Sequence, residues 1–192
     1  MKGKIFFISG PSGVGKGTLI NALREKHEDW EFPASCTTRD PRPGEINGKT
    51  YFFISREEFE QKIKNDEFLE YATVHQGNLY GTLLKPLVEG AKKGKIVIRE
   101  FDIQGFIQMQ DKLVRNLYTS IFLKPGGGIE TLIRRIRDRA PITESELALR
   151  IESMQKEFSM EKKYDYTVVS TDGEIEKMVE DAEAIIEKTI EN

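Results

Sequence analysis

Lys16 closes the run Gly10-Pro11-Ser12-Gly13-Val14-Gly15-Lys16, and Gly17 and Thr18 follow it. The spacing of Gly10, Gly15 and Lys16 matches the phosphate-binding pattern G-x-x-x-x-G-K-[ST]. In such a loop several backbone N–H groups converge on one phosphate, and the next helix adds the positive end of its dipole. Lys16 supplies a mobile charge for the β- and γ-phosphates. The position after the lysine normally carries a hydroxyl for magnesium, and here it is Gly17. Thr18 comes one residue late, about 100° further round a helix, so it is no direct replacement. Magnesium keeps several waters and leans on phosphate oxygens. The missing hydroxyl is therefore expected to weaken the metal site without abolishing it.

A second set of residues suits a second anion. Arg39 and Arg42 lie in SCTTRDPRPGE, where prolines stiffen the chain. Two arginines on a rigid loop fit forked recognition of a phosphate, and Tyr51 and Tyr80 can add phenol donors. Further on, RRIRDR puts Arg135 and Arg139 four apart on one helix face, and Arg150 follows on the next helix. A lone arginine in any of these places reads as a solvated side chain. The succession of them after a phosphate loop favours a site that brings two phosphates together.

These residues need elements to hold them. KIFFIS (4–9) is a short apolar run ending in glycines and reads as a buried strand; residues 16–28 place Leu19, Ile20, Leu23 and His27 at helical spacing. Strand, glycine loop and helix is the context that separates a phosphate loop from a chance glycine turn. From 34 to 82 the pattern changes. Prolines, strand-like residues and Asn47-Gly48, a two-residue hairpin signal, precede a short helix with an extended tail over 56–72. This stretch is expected to be a mixed α+β insertion outside the parallel sheet. Strands are then expected at 95–101, 117–123 and 166–170, and helices at 103–113, 129–139, 143–158 and 173–190. Strands alternating with helices imply an α/β fold, a parallel sheet flanked by helices.

Composition narrows the class. The 192 residues suit one compact domain, and 29 Lys and Arg against 32 Asp and Glu leave a formal net charge of −3. That balance argues against general nucleic-acid binding. Cys36 is the single cysteine, so no intrachain disulfide forms, which fits a reducing compartment. The apolar run IFFIS is too short for a secretory core, and no apolar stretch approaches the roughly 20 residues that span a bilayer. A cytoplasmic protein with no membrane partner is expected; oligomeric state is left open.

The sequence closely resembles the guanylate kinase family. ISGPSGVGKGT, TTRDPRPGEINGKTYFF, EFLEYA, GNLYGT, EFDIQG, RRIRDR and YDYTVV stand in that family's order and near its spacing over essentially the whole chain. The resemblance implies a phosphate-loop core at about 1–33, 83–125 and 160–192, a GMP-binding region at about 34–82 and a lid at about 126–159. It implies transfer of phosphate from ATP to GMP, and to dGMP, with Mg²⁺. Residues 10–18 would bind ATP; Ser35, Arg39, Arg42, Tyr51, Glu70, Tyr80, Thr82, Glu100 and Asp102 would surround GMP. Lys16, Arg42, Arg135, Arg139 and Arg150 would serve catalysis, the last three closing as a lid. Guanine offers two adjacent donors, N1–H and the 2-amino group, which one acceptor-only carboxylate can take. Glu70 is assigned that contact, Ser35 the O6 edge, and Asp102 a possible water-mediated hold on the metal.

The chain departs from the family in places. Gly17 stands where serine is usual, although GKGT is similar to the adenylate kinase loop. Cys36 replaces another small or polar residue, one residue is extra near Gln76, KPGGG precedes the lid helix, and STDG stands where an asparagine is usual. Two other readings are a kinase for a different nucleoside or sugar phosphate, and a guanylate-kinase-like binding module. Such modules commonly lose the loop lysine and lid arginines, which this chain keeps.

Overall fold

The computed structural model describes residues 3–73, 77–139 and 142–191, and only the backbone of Arg139. The side chain of Arg139 and the extra residue near Gln76 thus lie outside the described residues. Strand β1 (Lys4–Ser9) runs through the glycine loop into helix α1 (Lys16–Lys26). Four strands form a parallel sheet in the order β6 (Ile96–Glu100), β1, β7 (Tyr118–Pro125), β8 (Tyr166–Ser170). This is the parallel α/β sheet expected from the alternation.

β1 explains why its run is apolar throughout. Phe6 and Ile8 pack on one face with α1, α5 (Gly128–Arg139), α6 (Glu144–Ser159) and α7 (Ile175–Glu191). Ile5 and Phe7 pack on the other face with α3 (Leu84–Lys92) and α4 (Ile103–Lys112). A strand covered on both sides carries no polar face. The YDYTVV motif proves architectural in part. The Tyr164 hydroxyl donates to Ser9 Oγ at 2.9 Å beneath the glycine loop, and Asp165 Oδ2 accepts from the N–H and hydroxyl of Ser120, each at 2.8 Å.

Residues 35–73 and 77–83 build a second sheet, ordered β3 (Tyr51–Phe53), β2 (Ser35–Thr37), β5 (Leu79–Leu83), β4 (Phe68–Thr73), with α2 (Arg56–Lys64) on it. Cys36, Phe59, Phe68 and Leu79 make its small core. The Asn47-Gly48 pair does not make the expected two-residue hairpin: β2 and β3 run parallel. Pro41 and Pro43 lack the N–H groups a ladder needs. The Asn47 side chain also takes the Phe53 N–H at 3.0 Å, a donor that hairpin pairing would use. Helix α3 has no expected counterpart. Its Pro86 lies in the first turn, where a missing N–H costs nothing.

Candidate active site

The glycine loop is shaped by conformations that other residues resist. Gly15 caps α1 at φ 108°. Gly10 has φ 146°, and a Cβ there would lie 2.3 Å from the Leu123 carbonyl oxygen. Val14 is fully buried and pins the loop to the core. No acidic residue stands in the first turn of α1, which leaves its N–H groups open to an anion. Lys16 Nζ lies back over the loop and donates to the carbonyls of Gly10 (2.6 Å) and Pro11 (3.3 Å). Burial pushes its pKa down, and Glu100, Glu157 and Asp102 oppose that shift. Glu157, on α6, went unnoticed in the sequence. Its Oε1 accepts from the Ser153 hydroxyl at 3.3 Å, and burial raises its pKa, with Lys16, that hydroxyl and the Ser12 N–H opposing. Its Oε2 is buried without a hydrogen-bond partner among the described residues.

Gly17 and Thr18 face different clefts. Gly17 lines one with Tyr51, Arg99 and Glu100, and Thr18 lines another with Arg135, Ser170 and Asp172. The late hydroxyl therefore does not stand in for the missing one. A Cβ on Gly17 would meet nothing within 4 Å.

Strand pairing gathers the second cluster. Ser35 pairs with Tyr51 across β2 and β3, Thr37 with Tyr80 across β2 and β5, and Glu70 with Thr82 across β4 and β5. A register shift between Phe68 and Glu70 buries Phe68 and Leu69 in succession and re-aims Glu70, as bulges do. Ser35, Tyr51, Glu70, Tyr80, Arg99, Glu100 and Asp102 line one cleft. Burial raises the Glu70 pKa; a Thr82 side-chain hydrogen bond and the Arg99 charge oppose it. Asp102 caps α4, accepting the Gly105 N–H at 2.8 Å.

At the phenol end, Arg39 Nε donates to Tyr80 at 3.1 Å and its guanidinium lies 5.6 Å from the centre of the Tyr51 ring. Arg39 also pairs with Glu45 at 2.8 Å. Arg42 is exposed, and its backbone N–H donates to the other Glu45 oxygen at 2.7 Å. The Arg39 bond, then the Arg42 N–H, hold that carboxyl below the usual range.

Arg135 sits against the outside of the loop. It donates to the carbonyls of Gly13 (3.3 Å) and Val14 (3.0 Å) and pairs with Asp172 at 2.8 Å. Arg150 is exposed on α6. Glu157 follows it two helical turns later on the same face. Arg99 was also missed, though a cation inside the apolar run IVIREF is a legible signal. It donates to Ser35 and Thr82, two of the residues expected around GMP.

A parallel α/β sheet, a lysine-bearing phosphate loop at the carboxyl end of its first strand, and a polar second cleft beside it define a phosphate-loop nucleotide-binding protein of the kinase type. The comparisons name the family. The guanylate kinase family model matches residues 2–189, and the chain belongs to that family. A guanylate kinase of Clostridium tetani is 45% identical over 185 residues, 96% of this chain and 86% of the relative. One from Fusobacterium nucleatum is 42% identical over 189 residues, 98% of each chain. The crystal structure of guanylate kinase from Anaplasma phagocytophilum superposes with a TM-score of 0.73 at 32% identity, covering 97% of this chain and 85% of that one.

Proposed function

We propose that this chain transfers the γ-phosphoryl group of ATP to GMP, and to dGMP, giving the diphosphate. One observation carries the substrate assignment: Glu70, paired with Thr82 across β4 and β5, lines one cleft with Ser35, and Glu100 and Asp102 of that cleft also act on Lys16. Glu70 would accept N1–H and the 2-amino group of guanine, and Ser35 would donate to O6. Adenine would leave the buried acceptor unpaired, which a polar site penalises strongly. Arg39, Tyr51 and Tyr80, with Arg42, would hold the GMP phosphate. Residues 10–18 would cradle the ATP phosphates, and the cleft of Thr18, Arg135 and Ser170 would take its nucleoside.

The acceptor oxygen is already anionic, so no general base is required. Catalysis rests on positioning two anions in line and neutralising their charge. Lys16, Arg42, Arg135, Arg139 and Arg150 share that work. Mg²⁺ fits the donor set: Glu100, Asp102 and Glu157 outweigh the one charge of Lys16, and a buried Glu157 oxygen has no partner among the described residues. No group of three or more His, Cys, Asp or Glu able to hold a metal exists among the described residues. The ion would thus be held mainly by ATP and water, with Asp102 and Glu157 reached through water. Bound there, it would supply charge neutralisation of the phosphates. The core, the GMP region at 34–82 and the lid at 126–159 would close together to exclude water.

No helix among the described residues is long and apolar enough to cross a membrane. A cytoplasmic enzyme of small nucleotides is the reading carried by the family. An ADP-release assay with GMP, dGMP, AMP, CMP and UMP tests the proposal. GMP and dGMP should be strongly preferred. A preference for AMP defeats the guanine assignment, and no turnover with any acceptor favours a binding module.

A further inference from the structure

Arg99 stands in β6, the edge strand of the parallel sheet, and reaches across to the second sheet. It is partly buried, and its guanidinium spans three acceptors: Thr82 Oγ1 at 3.1 Å, the Pro33 carbonyl at 3.2 Å, and Ser35 Oγ. Glu70 and Glu100 lie within its electrostatic reach. An arginine is a permanent cation with donors and no acceptor, so each hydroxyl it touches must accept from it.

That fixes the polarity of both hydroxyls. Ser35 accepts from Arg99 and turns its own proton away from the cation, into the cleft. There it can donate to an oxygen; opposite an amino group it finds no acceptor. Thr82 also accepts from Arg99 and pairs with Glu70 across β4 and β5, where its hydroxyl favours the charged carboxylate. Burial raises the Glu70 pKa and Thr82 and Arg99 oppose that rise; once ionised, its carboxylate presents acceptors only. A 6-oxo group beside two N–H donors is the base edge this pattern matches; a 6-amino group beside a bare ring nitrogen is its inverse.

Resting on the GMP assignment above, we propose that Arg99 is a specificity-determining positioning residue, which orients the Ser35 and Thr82 hydroxyls so that the cleft reads a 6-oxopurine and rejects a 6-aminopurine. It needs no contact with the reacting phosphates.

The test compares Arg99→Leu and Arg99→Lys with the unsubstituted enzyme on GMP, IMP and AMP, with ATP varied separately. If the unsubstituted enzyme does not turn over GMP, the functional assignment fails and Arg99 is not at issue. Given that turnover, Arg99→Leu should raise the KM for GMP and for IMP at least tenfold and cut the GMP-over-AMP ratio of kcat/KM by a similar factor. The KM for ATP should stay within twofold. The acid limb of the GMP KM should move to higher pH, since Glu70 loses its cation. Arg99→Lys keeps the charge and loses the fork, so base discrimination should fall while the acid limb stays. If Arg99→Leu does not fold, Arg99→Lys decides alone. Discrimination unchanged within twofold, or equal losses with both substrates and all bases, overturns the proposal.

Discussion

Single side chains at the loop carry consequences that kinetics can read. Lys16 is the cation of the loop, and its hydrogen bonds among the described residues go to the backbone carbonyls of Gly10 and Pro11, so Lys16→Met should leave the fold intact and cut turnover by orders of magnitude. Near-normal turnover in that variant would remove Lys16 from the chemistry. Gly17 opens toward the cleft it lines with Tyr51, Arg99 and Glu100, with space for a side chain. Gly17→Ser restores a hydroxyl without repacking and should lower the Mg²⁺ concentration for half-maximal activity several-fold. An unchanged Mg²⁺ titration would show that Gly17 does not limit the metal site. Glu70 is a case where function and stability pull apart. Burial raises its pKa in the fold, so ionisation costs the folded state free energy. That cost is absent below the unfolded pKa and present once pH has risen through the folded one. Glu70→Gln should therefore raise the melting temperature at neutral pH, and the gain should vanish in acid. The same change should abolish GMP selectivity. A lower melting temperature at pH 7 would contradict this account.

Elements set where those side chains arrive. Helix α6 carries Arg150 and Glu157 on one face and starts at a capping box, with Thr143 and Glu146 satisfying each other's backbone N–H groups. Loss of such a cap costs about 1 kcal/mol, which is roughly 2–4 °C in a chain of this size. Thr143→Ala should show that drop by calorimetry and should raise the KM for ATP more than that for GMP, because α6 reaches the ATP loop through Glu157. Equal effects on both substrates would mean that α6 does not report to the loop. Strand β4 shows the limit of local reading. FLEYAT is legible as an extended tail, but the bulge that re-aims Glu70 depends on β5 packing against it. Likewise Asn47-Gly48 carries a hairpin signal that two nearby prolines and one side-chain hydrogen bond override.

The whole molecule has two sheets meeting at one cleft, with Arg135 and Arg150 carried by helices outside both. Arg135 already rests on the loop, whereas Arg150 is exposed. Closure should bring the exposed arginine inward, so GMP with a non-hydrolysable ATP analogue should reduce the radius of gyration in solution scattering. No change with both ligands bound would argue against a moving lid. The sequence by itself determined the parallel α/β core, the phosphate loop and the family, because glycine conformation, helix periodicity and motif spacing act over a few residues. It also marked Ser35, Glu70 and Thr82 through a family motif. Only the tertiary structure decided what surrounds them. Arg99 meets Ser35 from 64 residues away, Arg135 meets Val14 from 121, and Glu157 acts on Lys16 from the end of α6. Such contacts are fixed by how sheets and helices pack, and no local pattern encodes them. The one-position offset between Gly17 and Thr18 belongs to both levels. The letters show the hydroxyl is late, and the fold shows that it faces a different cleft.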